Sequence, residues 1–177
     1  NVGHAHPDVV KAVQAQMEEL NHCSNLFYNE KQALLAKKLV EIADIDDDTK
    51  CFFCNSGAEA NECAIKVARK YAELNKGAKY YNIITLKNSF HGRTITTLSA
   101  TGQDVFHKYF NPLTDGFLYA EANNIDSVKE LVANNKCCAI MMELVQGEGG
   151  VMALDYNFVK DIAIKIPRNT VVINVTE

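Results

Sequence analysis

Positive charge is in short supply: 18 Lys and Arg stand against 22 Asp and Glu, for a formal net charge of -4 over 177 residues. A protein that holds nucleic acid through bulk charge presents a basic face instead, so no nucleic-acid partner is predicted. Long apolar runs are missing as well. A membrane-crossing helix needs roughly 18 successive apolar residues, and the absence of such a run predicts no membrane partner. The chain opens Asn1-Val2-Gly3-His4, without Met. That opening matches neither a signal nor a transit peptide, and it predicts an internal piece of a longer chain. There are no repeats, low-complexity tracts or Pro/Gly-rich linkers. Neither G-x-x-x-x-G-K-[ST] nor G-x-G-x-x-G occurs, which argues against an unrelated nucleotide-binding domain. His4 and His6 have no company at ligand spacing, so no metal site is predicted.

What is present is ordinary for one soluble domain with a sizeable core: 47% hydrophobic and 23% charged residues. The six cysteines (Cys23, Cys51, Cys54, Cys63, Cys137, Cys138) are irregularly spaced in apolar surroundings. They read as reduced thiols of a cytoplasmic protein. Cys51 and Cys54 form a C-x-x-C, but in an apolar run that reads as a short buried strand over 50–54. There, positions three apart face opposite sides, which disfavours a redox or metal pair.

Hydrophobic periodicity then alternates between helix and strand. Helices are predicted at 7–20, opened by Pro7, and at 30–43. The clearest lies at 57–75, with an apolar stripe of Ala60, Cys63, Ala64, Val67, Ala68 and Tyr71. It is opened by a Ser56/Glu59 capping box. Strands are expected at 80–86, 117–120, 138–145 and 170–175, and helices near 103–109, 124–134 and 155–166. Such alternation predicts an α/β fold: a mostly parallel sheet between two helical layers, α-β-α. Ligands of such sheets sit beyond the carboxyl ends of the strands, which directs attention to loops 55–58, 88–94 and 146–150.

In the first loop, Ser56, Gly57 and Ala58 place a glycine turn at a helix N-terminus, where amides and dipole favour an anion. Read alone, such a turn more often simply caps a helix. The second loop, Asn88-Ser89-Phe90-His91-Gly92-Arg93-Thr94, offers an aromatic for stacking and a guanidinium fork suited to a carboxylate. Read alone, it also fits a solvated surface turn. In the third, Glu143 ends an apolar strand, where a carboxylate is costly without a partner, and Glu148 lies in a glycine turn. Asp46, Asp47 and Asp48 read as a solvated turn.

The ordered set G-H-A-H-P, S-N-L-F-Y-N, N-S-G-A-E-A-N-E, S-F-H-G-R-T and V-Q-G-E-G-G resembles the class III, fold type I aminotransferases that use pyridoxal 5'-phosphate (PLP). Within them it leans towards the acetylornithine enzymes. The resemblance covers essentially the whole chain and less than half of the usual family length. It implies a partial PLP-binding large domain over 1–177, with the N-terminal segment, the cofactor-holding lysine and the C-terminal small domain outside it. It also implies that Ser56, Gly57, Ala58, Phe90, His91, Glu143 and Thr176 surround the cofactor: the first three at its phosphate, Phe90 on the ring face, Glu143 behind the ring. Tyr28, Asn29, Arg93 and Glu148 would meet substrate. Arg93 would take the α-carboxylate, and Glu148 resembles a gating glutamate that pairs with an arginine. The implied reaction moves the amino group of N-acetylornithine to 2-oxoglutarate, in a homodimer. Ornithine, succinylornithine and 4-aminobutyrate enzymes, or a non-catalytic homologue with a binding role, are the alternatives.

One departure matters. Where the family strand ends in Asp-Glu-Val-Gln, ungapped counting from Phe158 puts Thr176 at the Asp and Glu177 at the Glu. Threonine carries no charge to stabilise a protonated pyridine. With that change, and without the lysine, the chain alone is expected not to transaminate.

Overall fold

A computed structural model describes every residue except Asn1, Asp47, Arg168 and Glu177. The chain divides into two compact units, Asn1–Phe52 and Phe53–Glu177.

The first unit is helical. Helix α1 (Pro7–Glu19) begins where His6 Nδ1 accepts the Asp8 N–H, with proline in the first turn. Helix α2 (Glu30–Ala43) begins where Asn29 Oδ1 accepts the Gln32 N–H at 3.1 Å, and ends at Asp44 in the left-handed region, φ 47°. Both match their predicted spans to within a residue. Neither helix buries a residue. The apolar sides of Val13 and Met17 on α1 and of Leu34 and Leu39 on α2 are exposed.

Residues 50–54 do not form the predicted buried strand. Cys51 and Phe53 are half-buried while Phe52 and Cys54 are exposed, so the period-two alternation is there. A strand also needs backbone partners, and among the described residues none pairs with this segment.

The second unit carries the sheet. Strands β1 (Asn82–Leu86), β2 (Phe117–Ala120), β3 (Cys137–Glu143) and β6 (Val171–Val175) lie parallel in the order β2-β1-β3-β6. Isoleucine, valine and leucine dominate β1 and β6, and β3 is buried along its whole length, as a strand covered on both faces must be. Helix α3 (Gly57–Lys76) covers one face, where Ile65, Ala68 and Ala72 meet Ile83, Ala139 and Met141. Helices α6 (Ile125–Asn134) and α7 (Tyr156–Lys165) cover the other, where Val128, Phe158 and Ile162 meet Ile84, Leu86, Ile140 and Met142. Full burial of each such Ile, Leu or Met side chain contributes about 1.5–3 kcal/mol. The three-layer α/β architecture is therefore the one predicted.

Three details differ from the periodicity reading. The core face of α3 is Asn61, Ile65, Ala68 and Ala72, rotated by one residue from the predicted stripe. Val67 and Tyr71 of that stripe are 60% and 48% exposed. The predicted strand 138–145 stops at Glu143, and the chain turns into a small antiparallel pair, β4 (Val145–Gln146) with β5 (Met152–Ala153). The intervening glycines allow that reversal, Gly150 at φ 111° among them. Finally, residues 95–109 hold two short helices, α4 (Ile95–Ala100) and α5 (Asp104–His107). The sequence Ile-Thr-Thr-Leu-Ser-Ala is rich in β-branched residues of low helix propensity. Burial of Thr97, Leu98, Ser99 and Ala100 holds α4 in place instead.

Candidate functional site

Because all four sheet strands run the same way, the loops after β1 and β3 emerge at one edge. Helix α3 begins close to one of them. A Cβ placed on Gly92, in the loop after β1, would come within 2.9 Å of the Ala58 Cβ. Gly92 has φ 132°, a conformation that only glycine adopts without strain. Asn61, on the core face of α3, donates to the His91 carbonyl at 2.8 Å, and Thr94 Oγ1 donates to Glu62 Oε1 at 2.5 Å. The first-turn residues 56–58 and the Phe90–Arg93 loop are thus held side by side.

At the α3 N-terminus, Ser56 Oγ accepts the Glu59 N–H at 3.2 Å. The Glu59 carboxylate reaches back to the Asn55 N–H at 2.7 Å, one residue before the cap itself. The capping box is therefore present with its return bond displaced. Gly57 and Ala58 supply first-turn amides that a helix cannot bond internally. Gly57 has no positive φ, and a Cβ there would meet nothing within 4 Å. Neither the backbone nor the packing of the chain demands glycine at 57. Open space in front of dipole-aligned amides suits a phosphate.

Glu143 is 1% exposed. Its Oε2 accepts the Phe90 N–H at 2.9 Å, tying the end of β3 to the loop after β1. Phe90 packs edge-on against Phe106, with centroids 5.7 Å apart. The Arg93 guanidinium lies over both rings, 5.5 Å from Phe90 and 4.9 Å from Phe106. An exposed cation on an aromatic shelf keeps its donors available while losing rotational freedom. His91 is 2% exposed, and among the described residues neither ring nitrogen has a hydrogen-bond partner. Desolvation lowers its pKa from 6.5 to about 4, so it is neutral at pH 7.

The third loop docks on the second. A Cβ on Gly149 would lie 2.5 Å from the Asn88 carbonyl oxygen, so backbone meets backbone there. Gln146 Nε2 donates to the Lys87 carbonyl at 3.0 Å. Glu148 is exposed and accepts from Gln103 Nε2 at 2.6 Å.

An amide-lined anion turn, an aromatic shelf beside it and a cation over that shelf fit a flat, phosphorylated cofactor and a carboxylate substrate. The Aminotransferase class-III family pattern matches residues 1–173. The chain belongs to the class-III aminotransferases. It is 52% identical over 162 residues to the acetylornithine aminotransferase of Caldanaerobacter subterraneus subsp. tengcongensis, covering 92% of this chain and 40% of that one. The acetylornithine aminotransferase of Wolinella succinogenes is 49% identical over 178 residues, covering all of this chain and 44% of that one. The chain thus spans less than half the length of these relatives. Among solved structures, the ornithine aminotransferase of Toxoplasma gondii ME49 superposes with a TM-score of 0.88 at 29% identity, over 97% of this chain and 41% of that one. An omega-transaminase of Thermomicrobium roseum gives 0.90 at 26% identity, over 98% and 44%. The α/β sandwich with its parallel sheet is accordingly that of the fold type I transaminases.

For this class-III chain, the structure gathers Ser56, Gly57, Ala58, Phe90, His91, Arg93, Glu143 and Glu148 on three loops that touch in series. Thr176 follows β6, whose last residue Val175 is in register with Glu143. It is exposed and uncharged, so the residues present fit a phosphate and a ring face better than they fit a pyridinium nitrogen. Glu177 lies outside the described residues. Tyr28 and Asn29 belong to the first unit. Tyr28 is fully exposed, while the Asn29 side chain caps α2 and also reaches Cys23 Sγ at 3.7 Å. No role for Asn61 or Gln103 follows from the sequence, and Ser89 and Thr94 stand out there only as members of the second loop. A polar residue on the inward face of α3 was the available signal for Asn61, once the stripe was placed one residue on.

Glu143 offers a direct test of how the loop is held. Glu143→Ala leaves the Phe90 N–H without its acceptor, and an expected cost of about 1–2 kcal/mol follows from stranding a part-buried donor. Glu143→Gln keeps a carbonyl oxygen in the same place and is expected to lose less than half of that. Urea unfolding of both variants checks the order, and equal losses would contradict the role given to the Phe90 bond.

Proposed function

We propose that residues 1–177 form part of the PLP-binding large domain of an acetylornithine aminotransferase, which passes the amino group of N-acetylornithine to 2-oxoglutarate. The carrying observation is the anion turn at Gly57 and Ala58 set beside the Phe90–Arg93 shelf. The names of the relatives at about 50% identity support the choice of donor. Those relatives are more than twice as long, so we place the rest of the catalytic apparatus outside these residues and expect the 177-residue chain alone to be inactive. A homodimer is part of the proposal, and apolar side chains exposed along α3, such as Val67 and Leu74, are consistent with a covered face.

When bound, PLP supplies the electron sink that lets an amino group leave one carbon and join another. The work of this chain is binding and orientation. Ser56 caps α3, and the amides of Gly57 and Ala58 take the phosphate at the positive end of the helix dipole. Phe90 covers one ring face and is held from below by Glu143. Buried His91 lies next to Phe90 and keeps water and charge out of that layer while neutral. Arg93 receives the α-carboxylate through its planar fork. Glu148 stands at the mouth. Thr176 offers no charge to hold a proton on the pyridine nitrogen, which favours a second reading: a homologue that binds cofactor and amino acid with little or no turnover.

The product of the complete coding region, supplied with PLP and 2-oxoglutarate, separates these readings. Offered N-acetylornithine, ornithine, N-succinylornithine and 4-aminobutyrate in turn, it is expected to show the highest kcat/KM for N-acetylornithine, by about tenfold or more, the usual reach of specificity differences of 1–3 kcal/mol. A different preferred donor overturns the substrate assignment. Binding of PLP without turnover of any donor selects the non-catalytic reading.

A further inference from the structure

The amino ends of β1, β3 and β6 border a cleft of about 270 Å³, at the edge of the sheet opposite the three loops. Tyr80 stands before β1, Lys136 and Cys137 stand at the start of β3, and Thr170 leads into β6. Lys76, in the last turn of α3, completes the wall. The ammonium groups of Lys76 and Lys136 each lie 5.5 Å from the centre of one ring, that of Tyr80. No Asp or Glu lines the cleft, and among the described residues neither lysine forms an ion pair. In a chain of net charge -4, two cations share one aromatic ring without a carboxylate between them. We infer that this cleft binds a small phosphate dianion, free or as the head of a phosphate ester, between the ammonium groups of Lys76 and Lys136. The site shares no residue with the PLP loops and does not depend on the aminotransferase reading.

The residue types decide the class of anion. A planar guanidinium fork suits a carboxylate, whereas lysine meets phosphate as a compact point charge whose three donors turn towards any oxygen. Two such charges match the two of a phosphate near neutral pH. The backbone around them is held. The Tyr80 N–H donates to the Gly77 carbonyl at 3.0 Å, and the Tyr80 side chain packs against the core beneath α3. The Lys136 carbonyl accepts from both the backbone and the side-chain N–H of Asn82, each at 3.2 Å. Lys76 is half-buried, and desolvation lowers its pKa. A bound anion restores what that burial removes. The volume sets the size of the ligand. It falls at the lower end of small-molecule pockets, which start at roughly 300 Å³, so a phosphate with a short tail fits and a nucleotide does not. Glu143, at the far end of β3, is about 20 Å away along the strand.

The test is a calorimetric titration of inorganic phosphate into the PLP-loaded product of the complete coding region, where cofactor already fills the turn at Gly57. One phosphate per chain is expected, with a dissociation constant on the order of 1 mM. Lys76→Gln with Lys136→Gln is expected to weaken it about tenfold or more, the effect of two lost charge contacts in a partly solvated cleft. The melting temperature without phosphate should stay close to that of the parent, which shows that the variant is folded. Lys37→Gln with Lys38→Gln removes the same charge from the exposed side of α2 and should leave the constant within about twofold. Glycerol 3-phosphate separates the sources. Tighter binding than the free ion assigns the cleft to an ester, weaker binding assigns it to free phosphate, and either result upholds a phosphate site. Failure of both to bind, or equal binding by K76Q/K136Q, overturns the site and leaves the aminotransferase reading standing. A protein that takes up no PLP yet loses phosphate with the two lysines keeps the site and removes the PLP proposal.

Discussion

Gly57→Glu is expected to leave the protein at least as stable as before while its affinity for PLP falls by about three orders of magnitude. The two effects have different physical sources. Among the described residues nothing lies within 4 Å of a Cβ at 57, and the backbone there is not in the left-handed region, so the new side chain starts into open space without strain. A glutamate in the first turn of α3 replaces the poorest helix former after proline and adds a negative charge at the positive end of the helix, together about 0.5–1.5 kcal/mol in favour of folding. The same carboxylate stands where the phosphate is proposed to bind. Two like charges about 4 Å apart cost about 4 kcal/mol at the effective dielectric of a protein surface, which is about a thousandfold in binding. A thermal melt and a fluorescence titration with PLP on the complete coding-region product measure the two halves. A variant that melts much lower shows that glycine is required by the fold and removes the argument for a ligand at 57. Undiminished affinity moves the phosphate elsewhere.

His91 is expected to make the folded chain lose about 3 kcal/mol of stability between pH 6.5 and pH 4, relative to a variant lacking it. The ring is 2% exposed, neither nitrogen has a partner among the described residues, and desolvation brings its pKa down to about 4. In the unfolded chain the ordinary value is about 6.5. Below pH 6.5 the unfolded state takes up a proton that the folded state refuses, so stability falls as the pH is lowered. The loss runs its course by about pH 4, below which both states are protonated. A difference of about 2.5 in pKa corresponds to about 3 kcal/mol. Carboxylates titrate in the same window, so the comparison is with His91→Phe, which fills the space without a titrating group. Urea unfolding of both proteins at steps from pH 7.5 to 4 should give curves that diverge below pH 6.5. Parallel curves would show a His91 ring that is solvated or paired. Since His91 lies between Phe90 and Gly92, protonation of the folded ring should loosen the aromatic shelf, and PLP affinity in the complete protein should decline only as the pH approaches 4.

Much of the fold was legible because the local signals agreed with one another. Pro7 and Asn29 mark the starts of α1 and α2, and apolar runs flanked by polar turns mark β1, β2 and β6. The loops after β1 and β3 were legible because parallel strands put their carboxyl ends at one edge, and the first because Ser56 and Glu59 mark the start of α3. Three features depended on partners far away in sequence. Residues 50–54 have the alternation of a strand without a neighbour to pair with. Helix α4 is held by burial of Thr97 and Ser99 against the propensity of its residues. The inward face of α3 is decided by what Ile83, Ala139 and Met141 require, and Ala60 or Ala64 is as apolar as Ala68 until the sheet is in place. Within the site, periodicity and motifs point to Gly57, Phe90, Arg93 and Glu143. They are silent on the bonds that join them, because Asn61 to His91, Gln103 to Glu148 and Glu143 to Phe90 each span 30 residues or more.

The α3 turn and the Phe90 shelf are proposed to hold PLP together. A crystal structure of the complete coding-region product grown with PLP tests it most directly. The phosphate is expected within hydrogen-bonding distance of the Gly57 and Ala58 amides and the pyridine ring stacked on Phe90, with Glu143 still bonded to the Phe90 N–H. A phosphate bound away from the start of α3, with the space before Gly57 filled by another part of the protein, would contradict it.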